Sequence, residues 1–143
     1  VSLLSLVRER LEALDVLDIS GAAGLATLLD DGVLPPRTPA VYVVPVSNSP
    51  GGNLRDTGAY LQWDVVTIGV VVVIAARNTR LGDGLDQQVE DLRTSLRSLL
   101  FGWQPAPEWD PFWLGPGEVR LLGGGIWISE EFVTQRLEDS NGG

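Results

Sequence analysis

The segment Leu61 to Arg77 constrains this chain more than any other. It opens with alternation, Leu61, Trp63 and Val65 against Gln62 and Asp64, then turns apolar on both faces through Val70-Val71-Val72-Val73-Ile74. A run so rich in β-branched residues reads as a strand. It is longer than the ~5–6 residues of an average strand, so it is expected to project past its neighbours. Its first half needs only one covered face, whereas its second half needs two. Either a helix packs on each face, or another subunit covers one of them. The stretch Val65 to Ala76 is also the longest apolar run. It falls short of the ~20 residues that a membrane-spanning helix requires, and no membrane partner is expected.

Around this strand the pattern is mixed. Residues 2–14 read as an amphipathic helix with Leu3, Val7, Leu11 and Leu14 on one stripe and Ser2 as N-cap. Arg8, Glu9, Arg10 and Glu12 break the apolar run that an export signal would need. A short helix is expected over 21–29, capped by Ser20 and stopped by Gly32. Ala40 to Val46 is a strand that runs near an edge or ends at Pro45. Residues 47–60 read as a long polar loop, beyond the ~2–5 residues of a usual hairpin connection. Asp83 to Leu100 is the clearest helix, with Leu85, Val89, Leu92, Leu96, Leu99 and Leu100 on one stripe and Gly102 ending it. Residues 103–117 form a Trp- and Pro-rich loop, and Glu118–Leu122 and Ile126–Arg136 form a hairpin around Gly123-Gly124-Gly125.

The expected fold is therefore α+β: two layers, an approximately four-stranded mixed or antiparallel sheet, and helices packed on one face. The helix between the second and third strands is the reason to expect a parallel pair. At 143 residues the chain fits one domain, taken as 1–139, followed by a flexible tail at 140–143.

Catalytic equipment is sparse. The chain has no His, no Lys and no Cys. That excludes an imidazole base, a Schiff-base lysine, a thiolate nucleophile and zinc sites built on His or Cys. No P-loop or dinucleotide fingerprint is present. Only carboxylates remain. Glu130 and Glu131 are neighbours on a strand and should face opposite ways. Asp30 and Asp31 read as a solvated helix end, and Glu108 and Asp110 flank Trp109 in a loop. The Asp83–Asp86 region lacks the alternating acids and closing Glu of a calcium loop, and helix capping accounts for it. No catalytic, cofactor or metal residue is assigned, and no enzyme is expected. A carboxylate-dependent hydrolase is kept as the reading from another class.

The formal charge of −9, with Arg as the only basic residue, disfavours phosphate backbones, which are bound by clustered cations. The aromatics of 103–113 lack the basic groove of a single-strand binder, since no Arg lies between 97 and 120. No direct sequence-specific nucleic-acid binding is expected. Packing and protein contact are the roles left for these rings.

The ordered set Pro39-Ala40-Val41-Tyr42-Val43-Val44-Pro45, the strand ending Val70-Val71-Val72-Val73-Ile74-Ala75-Ala76-Arg77-Asn78, the helix Asp91-Leu92-Arg93 to Leu99-Leu100, the turn Gly102-Trp103-Gln104-Pro105 and a last strand with Phe132 and Thr134 together resemble the phage tail terminator family. The resemblance spans most of the chain and rests on order and spacing. It implies an α+β structural protein of the virion, with no catalysis and no cofactor. It implies a homo-oligomeric ring, typically hexameric, at the head-proximal end of the tail, assembled in the host cytoplasm. Such a ring stops polymerisation of the tail tube and offers a docking surface to the head-tail connector. Another tail or neck component (a completion protein, a connector or a tube subunit) is the alternative.

For such a protein the working surface is a set of protein contacts. The candidates are Asn48, Leu54, Arg55, Asp56 and Tyr60 in the polar loop, and Trp109, Phe112 and Trp113 in the aromatic loop. The polar loop is expected to be poorly ordered until a partner binds, because Pro50, Gly51, Gly52 and Gly58 loosen it.

Overall fold

The computed structural model describes the whole chain except Val1, Asp15, Leu17, residues 76–81, Gly123, Gly142 and Gly143. The expected end of the long strand at Ala76-Arg77, and the last two tail residues, lie outside the described residues, as do the side chains of Asp83 and Leu122. The elements are α1 (Leu3–Leu11), β1 (Asp18–Gly21), α2 (Ala22–Asp31), β2 (Ala40–Pro50), β3 (Leu61–Ala75), α3 (Gly82–Leu100), β4 (Trp113–Leu122) and β5 (Gly125–Asp139).

The five strands form one mixed sheet in the order β1-β2-β3-β5-β4. One strand more than expected is present. It is β1, whose Asp18–Gly21 pair in parallel with Ala40–Val43. The parallel pair thus comes from the crossover through α2, not through α3. The chain does leave β3 and return through α3 to β4, but β5 lies between those two strands and is antiparallel to both. Pro45 sits just past the four positions that β1 covers, so its missing N–H faces an edge that is open locally.

Helices lie on both faces of the sheet, not on one. Val7 and Leu11 of α1 and Leu96 and Leu100 of α3 pack with Val41, Val43, Ile68, Val70, Val72 and Ile74. Leu28 of α2 packs with Ala40, Tyr42 and Val73 on the opposite side. Alternation along β3 sends even-numbered and odd-numbered valines to opposite faces, which is why Val70 to Ile74 is apolar throughout. Each buried Val contributes about 1.5–3 kcal/mol, enough to hold a helix on each side.

α1 opens as its sequence suggests. The Ser5 N–H donates to Ser2 Oγ at 3.1 Å. α2 starts one residue later than expected, with Gly21 as N-cap, because Ser20 is held in β1 opposite Tyr42. Gly32 ends it in the left-handed region at φ 66°. After α3, Gly102 at φ 80° turns the chain back so that residues 103–112 fold onto the sheet. The Gly102 N–H donates to the Phe112 carbonyl at 2.8 Å, and the Phe112 N–H to the Trp103 carbonyl at 3.0 Å. Phe112 stacks with Trp103 and meets Phe132 edge-on at 6.4 Å, joining this segment to the main core.

Candidate protein interface

The sheet extends well beyond its helices. β3 and β5 stay in register from Ala75 and Gly125 to Leu61 and Asp139. β2 follows β3 past a bulge at Val46, so Ser47 to Pro50 are strand despite their poor β propensity. The loop expected over 47–60 is therefore shortened to 51–60. One face of this arm is covered by the segment after α3. The Asp110 N–H donates to the Gln135 carbonyl, Thr134 Oγ1 donates to the Asp110 carbonyl at 2.6 Å, and the Arg136 guanidinium lies 4.6 Å over the Trp109 ring.

The tip of the arm is a tied loop. Gly51 and Leu54 donate backbone N–H groups to the carbonyls of Trp63 and Leu61. Asn53 Oδ1 accepts from the N–H groups of Arg55 and Leu61. Arg55 reaches Asp139 with both terminal nitrogens, and Tyr60 and Ser140 exchange two further hydrogen bonds. The Arg55 hydrogen bonds, followed by that from the Asn141 N–H, hold the Asp139 carboxyl at about 2. A loop held by so many side-chain-to-backbone bonds is formed in the free subunit, contrary to the expectation from its glycines.

The structure sorts the candidate residues. Leu54 and Tyr60 stand out from the tip at 58% and 61% exposure, with Asp56 exposed between them. Arg55 is half-buried and spent on Asp139. Asn48 is exposed and donates to Asp64 Oδ2 at 3.4 Å. Trp113 is exposed at the start of β4. Trp109 and Phe112 are not on the surface: they are 6% and 1% exposed, because the segment carrying them is a lid on the sheet. That burial removes them from direct contact with a partner of the folded subunit.

Two further features lie outside the candidate interface residues. The first is a groove between α2 and the β4–β5 hairpin, lined by Leu25, Leu29, Val71 and Trp127, with Glu118 and Arg120 on its rim. The indole Nε1–H of Trp127 is buried there without an acceptor. Alternation in the strands could have placed Val71, Trp127 and Arg120 on one face, but only if the register had been known. The second is Glu130, which is 1% exposed and receives Arg93 at 2.6 Å and Arg97 at 3.4 Å from α3. Glu131 faces the other way, as adjacent strand positions require. A Cβ at Gly117 would collide with the Glu130 carboxylate, so the glycine in β4 makes room for this charge cluster.

Among the described residues no three acidic side chains converge in a way that would hold a metal ion, and no helix is long and apolar enough to cross a membrane. A family model described as "Phage tail terminator protein" matches residues 3–140. No sequence among curated proteins matches the chain significantly. Among solved structures, a chain of the "Virion of native gene transfer agent (GTA) particle" has a similar fold, with a TM-score of 0.56, 16% identity and 96% of each chain covered.

Proposed function

Because the chain belongs to the phage tail terminator protein family, a family of structural virion proteins and not of enzymes, we propose that it closes the head-proximal end of a tail tube as a homo-oligomeric ring, hexameric by analogy with the family. In this reading one side of the ring stops addition of tube subunits and the other receives the head-tail connector, after assembly in the host cytoplasm. The observation that carries it is the distribution of uncovered apolar surface. Leu54 and Tyr60 project from the tip of the arm, while Leu29 stays exposed on α2 beside Val71 and Trp127 at the other end of the sheet. Two different sticky places on one subunit make a head-to-tail contact, and head-to-tail contacts close into rings when the rotation allows.

Native mass spectrometry and negative-stain imaging, on the protein alone and with tail tubes, test the proposal. A closed ring seated on the tube end is the expected result, together with tubes of uncontrolled length when the protein is withheld. An open polymer would instead favour a tube subunit. A monomer that binds at the neck would favour a completion or connector role.

A further inference from the structure

The geometry points to the groove beside α2 as the seat for the hairpin tip of a neighbouring copy, with Leu54 entering among Leu25, Leu29 and Val71. This rests on the ring reading and names the contact that would close it. Three observations support a second copy as the occupant.

The first is shape and polarity. The tip presents an aliphatic side chain flanked by an exposed tyrosine, and the groove is apolar at its floor. The lining includes Val71 and Trp127, apolar surface that an incoming aliphatic side chain can cover.

The second is charge. Asp56 is exposed beside Leu54, and Arg120 stands at the groove rim. In the free subunit Arg120 pairs with Glu118, but both side chains are more than half exposed, and such pairs contribute little. Exchange of Glu118 for an incoming Asp56 is therefore cheap. In a chain of charge −9 that must meet itself, a matched acid and base at the contact also relieves repulsion.

The third is rigidity and placement. The Arg55–Asp139 bonds fix the tip before contact, which lowers the ordering cost of docking. Leu61 at the tip and Val71 at the groove are separated along β3 by roughly 33 Å at ~3.3 Å per residue. The two surfaces therefore lie at opposite ends of the subunit and cannot satisfy each other within one copy.

The test exploits the absence of cysteine. Leu29→Cys is labelled with a benzophenone maleimide, assembled with tail tubes and irradiated. The expected adduct joins the groove to the tip peptide, residues 51–62, of another copy. An adduct to the tube protein, or to any other segment, overturns the inference. In parallel, Asp56→Arg and Arg120→Asp are each expected to reduce ring formation at least tenfold, and the double swap to restore it. Rings that form normally in both single variants overturn the docking inference and leave the ring reading intact. A wild-type protein that forms no ring, alone or on tubes, removes both.

Discussion

Arg55 meets Asp139 through two hydrogen bonds of 2.9 Å each, joining the tip of the β2–β3 hairpin to the last residue of β5 across 84 positions of the chain. A flat guanidinium against a carboxylate fixes direction as well as distance, so the loop cannot swing about its glycines. The same arginine also donates to the carbonyls of Ala59 and Tyr60. One side chain thus organises both ends of the loop that carries Leu54 and Tyr60.

This latch has a defined pH window. The Asp139 carboxyl is held at about 2, below its ordinary 3.8, first by the Arg55 hydrogen bonds and then by the Asn141 N–H. A carboxylate whose pKa is depressed on folding stabilises the fold fully above the unfolded value, and that contribution is lost as pH falls through the folded value. The latch is expected to hold from neutral pH down to about 4 and to open between about 4 and about 2. An NMR titration that follows the Asp139 carboxyl and the Arg55 side chain measures this. A midpoint at 3.8, or one unchanged by Arg55→Ala, would show that the contact is not made in solution.

The buried Glu130 makes a second, asymmetric prediction. Arg93→Ala leaves a carboxylate that is 1% exposed with only the longer contacts to Arg97. Removing one partner of a buried pair typically costs about 3–5 kcal/mol, and the remaining arginine should hold the loss to about 2–3 kcal/mol. Glu130→Gln keeps an acceptor for both arginines and no longer strands a charge, so it should cost less. Urea unfolding of the two variants decides the order. If Glu130→Gln proves the more damaging, the ion pair itself, and not the burial of an orphaned charge, dominates.

Phe112 and Trp113 are neighbours with opposite roles. Phe112 is core, wedged between Trp103 and Phe132, so Phe112→Ala is expected to cost about 3–5 kcal/mol. Trp113 is 39% exposed, and Trp113→Ala should cost less than about 1 kcal/mol. Thermal melts of both variants separate packing from surface. Equal losses would mean that the segment after α3 does not lie on the sheet as described.

What the sequence revealed depended on how strongly side chains signal their own backbone state. α1, α3 and β3 were legible because leucine stripes and valine runs are direct marks of period and burial. β1 was not, since Asp18-Ile19-Ser20-Gly21 is a poor strand by composition and exists because Ala40–Val43 offer a free edge. The strand at Ser47–Pro50 is hidden in the same way: its partners Asp64 to Thr67 impose it. The first half of β4 read as loop because of Gly115, Pro116 and Gly117. A bulge between Leu114 and Gly117 accommodates the proline, and both glycines allow close approach to β5. The exposure of Leu54 and Tyr60 could be read from the sequence because apolar groups stand out in a polar loop. The groove could not, because Leu25 and Leu29 meet Val71 and Trp127 only once the parallel crossover through α2 is known.

The last prediction compares two positions on one face of β3. Val73 is fully buried beneath α2, packed with Leu28, Ala40 and Tyr42. An aspartate there would sit in the core without a partner. Its cost, about 4 kcal/mol or more, is a large part of the 5–15 kcal/mol by which domains are stable. Val71 points to the same side two residues earlier but is only half-buried, because α2 stops short of it and leaves it in the groove wall. Aspartate at Val71 can keep its carboxylate in water, so the expected cost to the fold is about 1 kcal/mol. The two variants should therefore part company. Val73→Asp is expected to lose the cooperative unfolding transition followed by circular dichroism. Val71→Asp is expected to melt close to the wild type yet fail to form rings in native mass spectrometry, since a charge now lines the seat for the neighbouring tip. A Val71→Asp protein that is stable and still assembles rings would show that this part of the groove stays open to solvent in the assembled particle. A Val73→Asp protein that folds normally would show that α2 does not cover the sheet.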